Sequence, residues 1–196
     1  MAMDGPFSEE LGANLLKKDG YKDNVVLCLN YDGKFGLNNM NNYFQCANHE
    51  GEAVVWGEWI YKKGDPILFN DSKRFPVLYN NLKGWIVEIE RNKTDIRFTI
   101  DIDMKLTEKE CKENEIEFVK DTGKYTRICL QIFKYNYNVP ENEIDEMRMK
   151  AVVPFQLAYA VSIHKAQGLE YDSVKIVIPD SISERVTHGV FYTAIT

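Results

Sequence analysis

Ala158–Asp172 reads AYAVSIHKAQGLEYD, and the order of its parts decides the fold. A mostly apolar run, Phe155 to Ile163, gives way to a polar stretch, His164 to Asp172, with a glycine in its middle. The run VKIVI at Val174–Ile178 follows, and Pro179 closes it. Short apolar runs rich in β-branched residues are what strands buried on both faces of a parallel sheet look like. A matching run lies far upstream, NVVLCL at Asn24–Leu29, followed by the turn-forming Asn30, Asp32 and Gly33 and by a helix-length segment, Gly36–Asn48. Strand, turn and helix make half of a βαβ unit. Near the end, Val190, Phe191, Ala194 and Ile195 share one helical face, which predicts a helix over Val186–Thr196.

Between these α/β pieces the pattern changes. From Ala53 to about Tyr137 the chain offers five short β-rich runs, AVVWGEWIY, PILF, WIVEIE, IRFTIDI and YTRICLQIF, separated by polar turns. They predict a small antiparallel barrel or meander. Thr107 to Val119 is the one helical candidate there, inside an acidic block, Asp101–Asp121, with eight acids and four lysines that reads as solvated surface. A second acidic patch, Glu141–Glu146, follows Pro140. The expected organisation is a discontinuous α/β domain, residues 1–52 with 152–196, interrupted by a β-rich insert at 53–151.

Composition narrows the function. The 196 residues are 44% hydrophobic, enough for a real core, and carry 24 Lys and Arg against 30 Asp and Glu, a formal charge of −6. Attraction of the whole molecule to nucleic acid or an anionic membrane is excluded, so such a partner needs a local site. No apolar stretch approaches the about 20 residues that cross a bilayer, and Met1–Glu10 has neither the basic nor the apolar part of a signal peptide. The expectation is a cytoplasmic chain with no membrane partner. Cys28, Cys46, Cys111 and Cys129 form no CxxC pair, and only His49 lies near one, so neither zinc nor a disulfide framework is expected. Residues 60–97 hold eight Lys and Arg against five Asp and Glu. There Lys62, Lys63, Lys73, Arg74 and Lys83 interleave with Tyr61, Phe69, Phe75, Tyr79 and Trp85, a mixture suited to single-stranded DNA, although aromatics in a small barrel are more often core.

The pattern Ser162-x-His164-Lys165-x-Gln167-Gly168-x-Glu170-x-Asp172 places seven named residues within eleven positions. With the strand after it and the closing FYTAIT at Phe191–Thr196, it resembles motifs V and VI of superfamily 1 DNA helicases, especially the RecD-like branch. Asn42-x-x-Gln45 is similar to that family's motif IV region. Gly64-Asp65-Pro66, Asn70 and YNNLKG, Tyr79–Gly84, are similar to its SH3-like barrel insert. The resemblance covers roughly Asn24–Thr196 and implies a RecA-like second motor domain, interrupted by an SH3-like barrel, that couples ATP hydrolysis to movement along single-stranded DNA.

It also implies roles. Ser162, His164 and Lys165 would face the DNA backbone, where contacts position without reading sequence, together with Asn42, Gln45, Asn80, Asn81 and Lys83. Gln167, Gly168, Glu170 and Thr196 would face the nucleotide, with Glu170 and Gln167 in catalytic roles. Taken alone, Ser162 and His164 would more commonly cap the short helix that starts there, Glu170 and Asp172 would be a solvated pair, and Asn42 and Gln45 would as readily be ordinary surface. No Gly-x-x-x-x-Gly-Lys-Ser/Thr loop occurs: Gly33-Lys34 is followed by Phe35 and Gly123-Lys124 by Tyr125. The family pattern also asks for an arginine directly after Thr196. The expectation is therefore one part of a larger motor, inactive alone, whose ATP and Mg2+ are held mainly by an N-terminal RecA-like domain of the same protein. The competing expectation is a helicase-derived module that binds nucleic acid or protein without catalysis.

Overall fold

In the computed structural model residues 24–166, 171 and 173–177 are described. The chain separates into two compact units, one running to His49 and resuming at Leu157, the other spanning Glu50–Gln156. The expected boundaries were 52/53 and 151/152.

The first unit is built on three parallel strands: β1 (Asn24–Cys28) in the centre, flanked by two strands from the far end of the sequence, β10 (Ala160–Ser162) and β11 (Ser173–Val177). Val25, Val26, Leu27 and Cys28 are all buried, so β1 shows no inside–outside alternation, as a strand covered on both faces should not. Helix α1 (Leu37–Cys46) follows β1. Its buried positions are Leu37, Met40, Asn41, Phe44 and Gln45, a stripe at helical spacing. Leu37, Met40 and Phe44 join Val26, Cys28, Tyr159 and Ala160 in one core, and Val177 packs on it. Burial pushes the Cys28 thiol up to about 12, so it stays neutral in that core.

No side chain caps α1 at Gly36. The preceding loop folds back instead: Leu37 N–H donates to the Asn30 carbonyl at 2.8 Å and Asn38 N–H to the Tyr31 carbonyl at 3.0 Å. The first two amides of the helix are thus satisfied by backbone. A Cβ on Gly36 would lie 2.4 Å from the Asp32 carbonyl oxygen, so only glycine fits.

The second unit is antiparallel. A hairpin joins β2 (Val54–Trp56) to β3 (Trp59–Tyr61). Strands β4 (Pro66–Phe69), β5 (Lys83–Arg91), β6 (Asp95–Ile102), β7 (Glu117–Asp121), β8 (Thr126–Phe133) and β9 (Phe155–Leu157) form one sheet in the order β7-β8-β6-β5-β4-β9. Its core is aromatic: Phe98 meets Phe155 edge to face at 5.1 Å and Tyr61 at 5.0 Å. Asp101 is fully buried, and Arg127, its cross-strand partner, donates to both carboxylate oxygens, at 2.7 and 3.0 Å. A bidentate pair of this kind offsets the cost of the buried charge.

The expected helix at Thr107–Val119 is half realised. Helix α2 (Glu108–Glu113) starts on a capping box between Thr107 and Glu110. It ends at Asn114, Glu115 turns the chain with a φ of 56°, and the rest becomes β7. The acidic patch after Pro140 forms a 3-10 turn, Glu141–Glu143, and helix α3 (Ile144–Ala151), with no buried residue. The helix expected at Val186–Thr196 lies outside the described residues.

Candidate nucleic-acid interface

Because β1, β10 and β11 are parallel, their carboxyl ends lie on one edge of the sheet, and the register levels them: Cys28 stands beside Ser162 on one side and Val177 on the other. In open parallel sheets that edge is where ligands bind. Two segments leave it next to each other, the loop Asn30–Gly36 after β1 and the polar turn after β10.

The turn opens with helix α4 (Ile163–Ala166). Ser162 is buried, and its hydroxyl oxygen accepts the Lys165 N–H at a long 3.4 Å, a capping contact. His164 is exposed and Lys165 half-buried. Burial lowers the pKa of the Lys165 ammonium from its ordinary value. Gln167, Gly168, Glu170 and Thr196, the residues expected to face the nucleotide, lie outside the described residues. Among the described residues no group of three or more His, Cys, Asp or Glu side chains is placed to hold a metal ion.

The motif IV pair is divided: Asn42 is exposed on α1 and Gln45 buried. The residue that ties α1 to β10 is their neighbour Asn41. Its side-chain amide donates to the Ala160 carbonyl at 3.1 Å and accepts the Ala160 N–H at 2.9 Å. Beyond the helix end, Asn48 donates to the Tyr159 hydroxyl at 3.1 Å. Neither Asn41 nor Asn48 was expected from sequence. The available signal was position, since Asn41 sits in the apolar stripe of α1 where a polar side chain needs a partner.

In the antiparallel unit, Tyr61, Phe69, Phe75 and Trp85 are core, and of the five interleaved aromatics only Tyr79 is exposed, at 53%. Tyr79 begins a turn with exposed Asn80 and with Asn81, whose φ of 69° is left-handed. Asn81 N–H donates to the Phe69 carbonyl at 2.8 Å, and Lys83 follows, half-buried, on β5. Lys63 and Lys73 are exposed and Lys62 half-buried. Arg74 is committed elsewhere, donating to the carbonyls of Gln131 and Lys150 and lying over the Phe75 ring.

Residues 157–196 match the model of the UvrD-like helicase C-terminal domain. Among curated proteins the chain is similar to the RecBCD enzyme subunit RecD of Buchnera aphidicola subsp. Acyrthosiphon pisum, at 21% identity across 91% of this chain and 24% of that protein. The same subunit of Buchnera aphidicola subsp. Schizaphis graminum is 25% identical across 90% of this chain and 23% of that protein. The chain thus spans about a quarter of the length of these relatives. A solved structure of Bacteroides Pif1 bound to single-stranded DNA aligns with a TM-score of 0.45 and 16% identity, over 95% of this chain and 46% of that one.

Proposed function

We propose that this chain is the second motor part of an ATP-dependent DNA helicase of the RecD-like kind, and that the turn after β10 grips the backbone of single-stranded DNA. The observation that carries this reading is the levelled carboxyl edge of β1, β10 and β11, from which the helicase-like segment leaves with His164 exposed. On this reading Ser162 fixes the turn, while His164 donates to a phosphate oxygen and Lys165 adds positive charge beside it. The low-polarity surroundings that depress the Lys165 pKa also strengthen its attraction to a phosphate. Of the motif IV pair, Asn42 is the one whose exposed position on α1 suits contact with the DNA strand, while Gln45 is buried.

The antiparallel unit is read as the SH3-like insert. Its exposed Tyr79 stacks a base, while Asn80, Asn81 and Lys83 hold the neighbouring backbone. ATP, with Mg2+ on its phosphates, supplies the driving free energy in the intact protein, where a P-loop-bearing RecA-like half would hold most of it. Gln167, Gly168, Glu170 and Thr196, which lie outside the described residues, are assigned to the nucleotide, so that the segment from Ser162 to Glu170 would serve strand and nucleotide together. The 196-residue chain alone hydrolyses no ATP.

The test is fluorescence anisotropy of a labelled oligo-dT with the 196-residue chain. His164→Ala should weaken binding, and Lys165→Gln should also flatten the dependence of log K on log salt by about 0.7 for the lost charge on a phosphate. Binding that His164→Ala and Lys165→Gln leave unchanged would refute the assignment. Binding lost only with Tyr79→Ala would move the strand to the insert and favour a module without motor function.

A further inference from the structure

We infer that Asn41 is a positioning residue for the turn that follows β10, its side-chain amide standing in for a missing strand. Strand β10 lies at the end of the order β10-β1-β11, so beyond it no further strand completes its ladder among the described residues. At Ala160 both backbone groups are satisfied by Asn41, which donates at 3.1 Å and accepts at 2.9 Å. An amide reproduces a peptide's donor and acceptor at once, which neither an aliphatic nor an ionised side chain does.

The clamp sits two residues before Ser162, and Asn41 is 6% exposed, so water cannot take over when it is removed. One residue upstream, the Asn48–Tyr159 hydrogen bond is also buried, and Tyr159 has no exposed surface. At its other end α1 is bound by backbone hydrogen bonds to the loop Asn30–Gly36. Helix α1 therefore ties the loop after β1 to the start of β10, and Asn41 is its attachment to the strand that leads into the turn. The functional part of this inference rests on the reading that the turn holds a DNA strand. The structural part does not.

Two variants of the 196-residue chain separate these. Asn41→Leu keeps the volume but has no polar group. Asn41→Asp reproduces the amide only when protonated, as a carbonyl acceptor plus a hydroxyl donor, and burial raises the pKa of such a carboxyl. Amide hydrogen exchange should show protection of Ala160–Lys165 reduced about tenfold or more in Asn41→Leu, with Glu50–Gln156 unchanged. In Asn41→Asp the protection factors of the same amides should be near wild type at low pH and fall as pH rises through the carboxyl's pKa. Oligo-dT affinity should follow both patterns. Unchanged exchange at Ala160 in Asn41→Leu, or an Asn41→Asp profile without pH dependence, would overturn the positioning role. Exchange that responds as expected while wild type itself binds no oligo-dT would leave the clamp standing, refute its functional part and sink the DNA reading.

Discussion

At the scale of single residues, the side chains expected to share one role occupy different environments. Ser162 is buried and turns its oxygen to backbone, His164 faces solvent, and Lys165 lies between. Chemistry was legible in the string Ser-x-His-Lys, but burial was not, because exposure depends on β10 and α1, which are remote in sequence. Asn41 makes the same point from the other side. The reading of Asn42-x-x-Gln45 fell one position from the amide that bridges to Ala160, yet the stripe Leu37, Met40, Asn41, Phe44, Gln45 contains that amide at a core position. Lys165 permits a pH prediction. Its pKa is lowered by burial, so its charge is lost, as pH rises, before that of an ordinary lysine at about 10.4. Oligo-dT affinity should therefore decline on the alkaline side earlier than free-lysine titration would give. Lys165→Gln should bind more weakly at pH 7 and lose this decline, as read by anisotropy from pH 7 to 10.

At the scale of elements, regular apolar spacing told most. Strands β1, β4, β5, β6, β8 and β11 lie where their apolar runs predicted, and helix α1 lies within the helix-length segment Gly36–Asn48. Strand β11 departs from the reading in its burial, since no residue of it is buried and Val174 is exposed. Strand β7, EFVKD, was hidden because it is short, charged and at the end of the sheet order, where few side chains are buried. Helix α2 ahead of it depends on its cap: Thr107 Oγ1 accepts the Glu110 N–H at 3.2 Å, and Glu110 accepts the Thr107 N–H at 2.8 Å. Thr107→Ala should cost about 1 kcal/mol by urea denaturation at pH 7. Hydrogen bonds from Thr107 hold the Glu110 carboxyl below its ordinary pKa. Its contribution is therefore present above the unfolded-state pKa and lost as pH falls through the folded one, so the cost of Thr107→Ala should shrink in acid. The loop before α1 gives a steric prediction. Gly36→Ala places a methyl 2.4 Å from the Asp32 carbonyl oxygen, and the shift this forces should cost about 1–3 kcal/mol, seen as a lower urea midpoint with unchanged slope.

At the scale of the whole molecule, a net charge of −6 and a nucleic-acid partner coexist only if positive groups are placed locally. Each unit has its own core, a mixed one around β1 and α1 and an aromatic one around Phe98 and Phe155. Each therefore carries its candidate contacts on an independent support: His164 and Lys165 on one, and Tyr79, Asn80 and Lys83 on the other. On the proposed function, a motor must use one of these supports to connect strand and nucleotide, and the segment Ser162–Asp172 is the candidate, its start assigned to DNA and its later residues to the nucleotide. If that order is functional, mutations along it should separate two measurable quantities in the full-length protein. Glu170→Ala should depress ATP turnover while leaving oligo-dT affinity near wild type. His164→Ala should weaken that affinity, with ATP turnover recovering at saturating DNA because the loss is one of binding. The measurement is steady-state ATPase titrated with oligo-dT, beside anisotropy without nucleotide. Equal effects of both substitutions on both quantities would mean that the segment works as one undivided structural element, and the coupling assigned to it would have to lie elsewhere in the protein.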